Sequence, residues 1–480
     1  MPKPMNLIVI CSDQHNPRLV GAYGAPYNVK TPNIDAMAKR GILFSHAYCS
    51  SPVCVPSRSS MVTGKYVHDG KFWDNAQAYH GECPSFATRL DEQGFPVTAI
   101  GKMHLRDDSP ATGFKDERIT LQMADGVGDI YGCIRDGKIS RPQFLKAIKE
   151  AGPGSTDYTR YDRAVAAYAV DYIRKEAKQQ KKPFFLYVGF VSPHFPLTVP
   201  KEYIDLYPEN VVEPIGWLRS QWSHHPVLDE YRRYCHSIDV TDSEMNNARR
   251  TYMGLCSFLD EQVGIVLDAI RANGLDKNTR VIYTSDHGDL MGEHGLFFKS
   301  TMYEGSVGVP FIMTGPDIPA GYKCDTPISL VDLYPTILEA LGAERSEYDK
   351  GLPGKSIFTY VGKPTDENRA VFSEYHAFGI NSGEYMVRKG DWKLISYVGY
   401  QPQLFNLRDD PNEMHDLGSD PNYHPVVEAM TKVLEKFVNP EKADREAKES
   451  QKRILAQYGG KEEFLANYKP RLFSPIPKNL

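Results

Sequence analysis

Asn6-Leu-Ile-Val-Ile-Cys-Ser-Asp-Gln14 joins an apolar, β-branched run to a carboxylate and an amide. Such a run reads as a central strand of a parallel sheet, buried on both faces. Its polar end then falls at the carboxyl edge of the sheet, where ligand sites collect in open α/β folds. The same arrangement recurs outward along the chain. Val97 to Ile100 delivers Gly101-Lys102-Met103-His104-Leu105, Phe184 to Val191 ends in Ser192-Pro193-His194, and Arg280 to Thr284 ends in Ser285-Asp286-His287-Gly288-Asp289. Strands are also expected over Ile42 to Ala47 and Val309 to Thr314. Helical patterns separate them: one from Thr31-Pro32 to a stop at Gly41, then Ser85 to Gln93, Asp162 to Gln179, Ser243 to Ala272 and Ser329 to Leu341. This alternation predicts an α/β domain with a large, mostly parallel sheet flanked by helices.

Two stretches lose the periodicity: Arg106 to Tyr161, where Gly, Asp and Pro are frequent, and Leu197 to Thr241, which carries Trp217, Trp222, His224 and His225. They read as irregular excursions over the sheet edge, with the character of substrate loops. After about Lys363 the texture changes to short strands joined by turns: Ala370 to Glu374, Tyr385 to Lys389, Trp392 to Val398 and Gln403 to Leu407. Their spacing predicts a small four-stranded antiparallel sheet with Pro425 to Val438 as a helix on it. The expected division is a catalytic α/β domain over residues 1–363 and a smaller C-terminal α+β subdomain over residues 364–480. The tail from Asn439 is charged, then mixed aromatic and proline. It is long enough to wrap the domain or reach a neighbouring subunit, so a homodimer or homotetramer is expected.

A chain of 480 residues with 41% hydrophobic and 24% charged residues has a soluble globular composition and more than one core. Its formal net charge of -5 argues against a nucleic-acid binder, so any anion site is local. The apolar run Leu7 to Cys11 is too short for a membrane span or a signal-peptide core, and no Asn-x-Ser/Thr sequon occurs. A cytoplasmic location is the expectation. The 8 cysteines form no CxxC pair and read as mostly reduced, buried thiols.

Cys54 is singled out by its neighbours, Cys54-Val55-Pro56-Ser57-Arg58 with Thr63-Gly64 beyond. Proline is tolerated in the first helical turn, so Cys54 is expected at a helix N-terminus, with free N–H groups and a positive partial charge. An anion over Cys54 would meet those donors, with Arg58 one turn along offering a planar fork. Asp13 with Gln14, and Asp286 with His287, supply oxygen and imidazole ligands for a divalent cation. Lys102 and His104 lie two apart on one extended segment and can face the same way. His194 and Lys299 complete a set of cations and general acids around one anion site, as hydrolysis of a charged ester requires.

The Cys54 motif resembles the signature of the type I sulfatases of the alkaline phosphatase superfamily. Their motif cysteine is converted to formylglycine (3-oxoalanine), an aldehyde that hydrates to a geminal diol. Thr31-Pro32-Asn33-Ile34-Asp35, Gly101-Lys102-Met103-His104-Leu105, Asp286-His287-Gly288-Asp289, Gly292-Glu293-His294-Gly295 and Arg388-Lys389-Gly390-Asp391-Trp392-Lys393-Leu394 extend the resemblance over most of the chain. It implies an alkaline-phosphatase-like core and a sulfatase that releases alcohol and inorganic sulfate from a small organic sulfate ester. It further implies that Asp13, Gln14, Asp286, His287 and the modified Cys54 bind one divalent cation, Ca2+ ahead of Mn2+ or Mg2+. One diol oxygen would attack sulfur while His194 and Lys299 help the departing alcohol. His104 would then assist deprotonation of the second hydroxyl, eliminating sulfate and restoring the aldehyde, with Arg58 and Lys102 holding the diol and sulfate charges. A formylglycine-generating enzyme is the implied maturation partner.

Many sulfatases have two aspartates where Asp13-Gln14 stands and Asp-Asn where Asp286-His287 stands. The pairs here look more like the choline sulfatase and phosphonate monoester hydrolase branches. Asp74-Asn75-Ala76 is similar to choline sulfatases, in which Asn75 would contact the sulfate. The same machinery suits phosphonate monoesters or phosphodiesters. A non-catalytic anion-binding protein on this scaffold predicts a broken motif, and every motif position is intact. For a choline-like leaving group an aromatic cage is needed, and Tyr131, Phe144, Tyr158, Tyr161, Trp217 and Trp222 are the candidates; they serve equally as walls for an aryl or sugar sulfate.

Overall fold

The computed structural model describes residues 2–24, 26–136, 138–468 and 474–477. Asn6–Asp13 (β1) is a strand buried along its whole length. Ile42–Phe44 (β2), Val97–Lys102 (β3), Asp116–Leu121 (β4), Phe185–Pro193 (β5), Thr279–Ser285 (β6), Phe311–Thr314 (β7) and Tyr322–Cys324 (β8) join it in one eight-stranded sheet of order β8-β2-β7-β6-β1-β5-β3-β4. β1 lies parallel to β5 and β6, with Val9 opposite both Tyr187 and Ile282. β7 runs antiparallel to β6 and β2.

The main helices are Cys54–Thr63 (α1), Asp157–Lys175 (α2), Asp242–Ala272 (α3) and Leu333–Leu341 (α4). Ile8 and Ile10 point to one face of the sheet, in a cluster with Val165 of α2 and Val263 of α3. Leu7 and Val9 point to the other face, with Ile337 and Leu338 of α4. Coverage of both faces is why β1 reads as a continuous apolar run. Thr156 and Thr241 close capping boxes with Thr159 and Glu244, which start α2 and α3.

The excursions hold more regular structure than their sequence suggests. β4, of sequence Asp-Glu-Arg-Ile-Thr-Leu, is the edge strand beside β3, and five of its six residues are only partly buried. A charged strand paired on one side carries no apolar signal. The helices Pro142–Lys149 and Pro226–Tyr234 also fall inside the excursions. The stretch expected to run from Ile42 to Ala47 breaks after Phe44, and Ala47–Tyr48 pairs instead with Gly308–Val309 and Ile328–Ser329.

Beyond the large sheet, Ala370–Tyr375 (β9), Glu384–Lys389 (β10), Trp392–Tyr397 (β11) and Gln403–Asn406 (β12) form a four-stranded antiparallel sheet in chain order. His424–Leu434 (α5) packs on β10 and β11. The charged part of the tail is a helix, Pro440–Ala456 (α6), with Ala443, Ala447 and Leu455 buried. Residues 469–473 and 478–480 of the tail lie outside the described residues. Among those described, no helix is long and apolar enough to cross a membrane.

Candidate active site

The ends of β1 and β6 set Asp13 and Asp286 side by side, and α1 begins directly over them at Cys54. Val53 offers no side-chain cap; Val55 N instead donates to Asn75 Oδ1 at 3.2 Å. Pro56 is the third helical residue, still among the first four whose N–H has no intrahelical acceptor, so the ring costs no hydrogen bond. Gly64, at φ 69°, ends the helix in the left-handed region.

Around Cys54 Sγ stand Lys299 Nζ at 3.1 Å, His287 Nε2 at 3.3 Å and Asp13 Oδ1 at 3.7 Å. Asp13, Cys54, Asp286 and His287 each present a ligand atom, all within 4.8 Å of one another and all buried. His287 Nδ1 lies 2.9 Å from Gly288 O, an obligate acceptor. That contact places the proton on Nδ1 and leaves the Nε2 lone pair facing the cluster, the tautomer a metal ligand needs. Burial lowers the His287 pKa to about 4, so the ring is neutral. Gln14 adds an amide: its Oε1 accepts from Lys299 Nζ at 2.6 Å, its Nε2 donates to Asp289, and its backbone N donates to Asp286 Oδ1 at 3.1 Å. Two carboxylates and an oriented imidazole fit a divalent cation, with the Gln14 amide held beside them by Lys299 and Asp289.

The positive groups divide into two sets. Arg58 is fully buried behind the carboxylates, and its guanidinium is occupied by protein acceptors. Nε donates to Asp286 Oδ2 at 2.7 Å; Nη1 donates to Lys102 O at 2.8 Å and Tyr187 OH at 3.0 Å; Nη2 reaches Ser12 O and Asp13 Oδ2, each at 3.3 Å. Every guanidinium nitrogen of Arg58 thus meets a protein acceptor, where the sequence suggested a fork for an oxyanion. Lys102 Nζ is 2.5 Å from Asp13 Oδ2. Burial works to raise the Asp13 pKa, and Lys102, His194 and Arg58 overcome it, holding the carboxyl well below its usual range. Lys299 and His194 are buried beside the cluster, with Lys299 against Cys54 and His194 facing Asp13. His194 Nδ1 is 2.6 Å from Phe195 O, and its Nε2 is 4.0 Å from Asp13 Oδ1. Burial first, then Lys299, holds His194 well below the usual imidazole range; burial first, then Lys102, does the same for His104.

Three residues of this site, Asp289, Tyr187 and Ser474, were not singled out in the sequence, whereas Tyr158 was among the aromatic candidates. Asp289 lies inside a quoted motif, and it holds the Gln14 amide. Tyr187 sits mid-strand on β5 and reaches Arg58. Tyr158 and Ser474 reach the site from α2 and from the C-terminal tail, joined by a hydrogen bond of 3.1 Å from Tyr158 OH to Ser474 O. No local pattern marks Ser474. Of the other aromatic candidates, Phe144 approaches through Phe298 and Phe195, with ring centroids 4.8 and 5.2 Å apart. Tyr161 donates to Ile119 O, Trp217 to Asp242, Trp222 to Trp217 O, and Tyr131 carries the Arg141 guanidinium on its ring face.

The mixed sheet, with acidic and imidazole side chains converging at its strand ends below a helix N-terminus, has the alkaline-phosphatase-like fold of the sulfatases. The chain belongs to the sulfatase family, whose model matches residues 5–343, and the C-terminal model of N-sulphoglucosamine sulphohydrolase matches residues 292–440. It is thus a sulfuric ester hydrolase by family. Arylsulfatase K of Bos taurus is 31% identical over 466 residues, covering 91% of this chain and 82% of that protein. Choline-sulfatase of Rhizobium meliloti (strain 1021) is 30% identical over 432 residues, covering 87% and 83%. The crystal structure of phosphonate monoester hydrolase of Agrobacterium radiobacter shares the fold, with a TM-score of 0.70 at 21% identity over 90% of this chain and 95% of that one.

Proposed function

We propose that this chain hydrolyses a small organic sulfate ester to an alcohol and inorganic sulfate, with formylglycine at position 54 and one divalent cation beside it. The observation that carries this reading is the convergence of Lys299, His287 and Asp13 on Cys54 Sγ. As a thiol, Cys54 is a poor nucleophile, because burial and the Asp13 carboxylate push its pKa up to about 11. Conversion by a formylglycine-generating enzyme would put oxygen within reach of the same donors. Together the hydrated aldehyde and the cation supply an oxygen nucleophile of lowered pKa. Asp13, Gln14, Asp286 and His287 would hold the cation. The oxygen-rich set suits Ca2+, with Mn2+ or Mg2+ as alternatives.

The remaining steps belong to side chains of the protein. The Lys299 ammonium, hydrogen-bonded to Gln14 and Cys54, offsets charge on the transferred group and donates a proton to the departing alcohol. His194, with its Nδ1 proton on Phe195 O and its Nε2 4.0 Å from Asp13 Oδ1, would help place the departing alcohol beside Lys299. Lys102 and Arg58 keep Asp13 ionised for the cation. Phe195 stacks on His194 with centroids 4.2 Å apart, and Phe298 and Phe144 continue an aromatic wall that suits an aryl or quaternary ammonium leaving group.

The test is kcat/KM of one preparation on an aryl sulfate, choline sulfate and an aryl phosphonate monoester, with Cys54→Ala as control and the Cys54 peptide weighed for its aldehyde. A preferred sulfate and an inactive control are the expected result. A clear preference for the phosphonate would move the assignment to a phosphonate monoester hydrolase, and activity in Cys54→Ala would remove the mechanism.

A further inference from the structure

We infer that Ser474, in the C-terminal tail, is a positioning residue for His104, and that residues 474–477 close the catalytic centre of their own chain. The inference rests on the proposed sulfatase reading, in which His104 takes a proton during release of sulfate.

Three contacts carry it. Ser474 Oγ is hydrogen-bonded to His104 Nε2, with Ser474 3% exposed and His104 fully buried. Ser474 O accepts from Tyr158 OH at 3.1 Å, tying the tail to α2. Ile476 packs beside the core cluster that holds Val165 and Tyr161 of α2, which anchors the segment two residues further on. The contact spans 370 residues of sequence, so it is not a by-product of local chain geometry.

His104 needs such a partner. Its backbone adopts φ 59°, the left-handed region that side chains other than glycine rarely occupy, and its N–H donates to Leu121 O at 3.0 Å. The backbone therefore fixes where the ring starts, and a contact at Nε2 fixes where it points. A serine hydroxyl both donates and accepts, so it holds Nε2 whether that nitrogen carries a proton or a lone pair. A group that gains and loses a proton in each turnover is kept in place by this hydroxyl through both states.

The experiment uses the full-length, aldehyde-bearing, cation-loaded chain and its Ser474→Ala and Ser474→Thr variants. A form ending at residue 468 is made alongside. Two readouts are taken: kcat and KM on the preferred sulfate ester, and the imidazole 15N signals of His104, assigned by their loss in His104→Gln. In Ser474→Ala, kcat is expected to fall roughly tenfold, a fraction of the roughly 10²–10⁴ a general base supplies, with KM nearly constant. The His104 signals shift in the same variant. Ser474→Thr restores both readouts, and the shortened chain loses at least as much kcat as Ser474→Ala. Unchanged kcat or unchanged ring signals in Ser474→Ala would overturn the inference, as would wild-type kcat in the shortened chain. A point variant keeps the test decisive even where the shortened chain does not fold. If the unsubstituted chain turns over no sulfate ester, the underlying reading fails by itself, while the ring signals still report whether Ser474 holds His104.

Discussion

Arg58 Nε donates to Asp286 Oδ2 at 2.7 Å, and neither side chain is exposed to solvent. The same guanidinium reaches Asp13 Oδ2 at 3.3 Å, so one planar group spaces the two carboxylates of the cation site. A lysine carries the charge but cannot make the fork. Arg58→Lys is therefore expected to weaken divalent-cation affinity by roughly 10–100-fold, the usual effect of losing an orienting partner. Calorimetric titration of the unmodified chain measures it. Unchanged cation affinity with a raised substrate KM would instead make Arg58 a substrate ligand.

Gln14 holds a place where a carboxylate would face another carboxylate. Its Nε2 donates to Asp289, a group that burial pushes up to about 6. Gln14→Glu keeps the shape and removes the donor. Without cation the variant is expected to be less stable by about 1–3 kcal/mol, the cost of leaving buried polar groups unpaired. Added cation recovers the loss, because it binds the folded state and attracts the extra carboxylate. Thermal unfolding with and without cation checks this. An equal loss in both conditions would show that Gln14 is structural.

The parts of this site that sequence alone revealed are those built on local chemistry. β1, β5 and β6 are buried on both faces and apolar at their centres, and the polar residues at their ends, Asp13, His194 and Asp286, stand out against them. β4 stayed hidden because an edge strand with charged residues has no such contrast. Arg58 was visible as a residue but not in its role, since its partners Tyr187 and Asp286 come from strands far along the chain. Ser474 is the extreme case: nothing in its neighbours distinguishes it, and its place beside His104 depends on how the whole tail packs.

Lys393 of β11 is buried between Glu304 at 2.8 Å and Glu413 at 2.7 Å, joining the small sheet to the catalytic domain. Glu304 is held down to about 2, where Lys393 and Arg388 overcome the effect of burial. Glu413 is pushed up to about 7, where burial outweighs Lys393. Lys393→Met leaves this acidic pair with less compensation, and removing one partner of a buried ion pair costs about 3–5 kcal/mol. Equilibrium urea unfolding is expected to show a loss of that size. A loss too small to measure would mean that Arg388 and Arg18 carry the network without Lys393.

His68 and Glu374 make a second link between the catalytic domain and the small sheet, with Nδ1 and Oε1 2.8 Å apart. Burial opposes charge on His68, and Glu374 overrides it, lifting the pKa from 6.5 to about 9. Glu374 falls to about 2, because His68 and His376 outweigh its burial. The folded-state pKa of His68 lies above its unfolded value, so protonation stabilises the fold. That contribution is complete below pH 6.5 and is lost as pH rises through about 9. At 1.36 kcal/mol per pKa unit its upper size is about 3 kcal/mol. Unfolding free energies measured across this range should decline for the unsubstituted chain. His68→Gln should remove that decline and also shrink the acid limb set by Glu374, whose low pKa depends on His68; an identical slope in both proteins would place the pH sensitivity elsewhere.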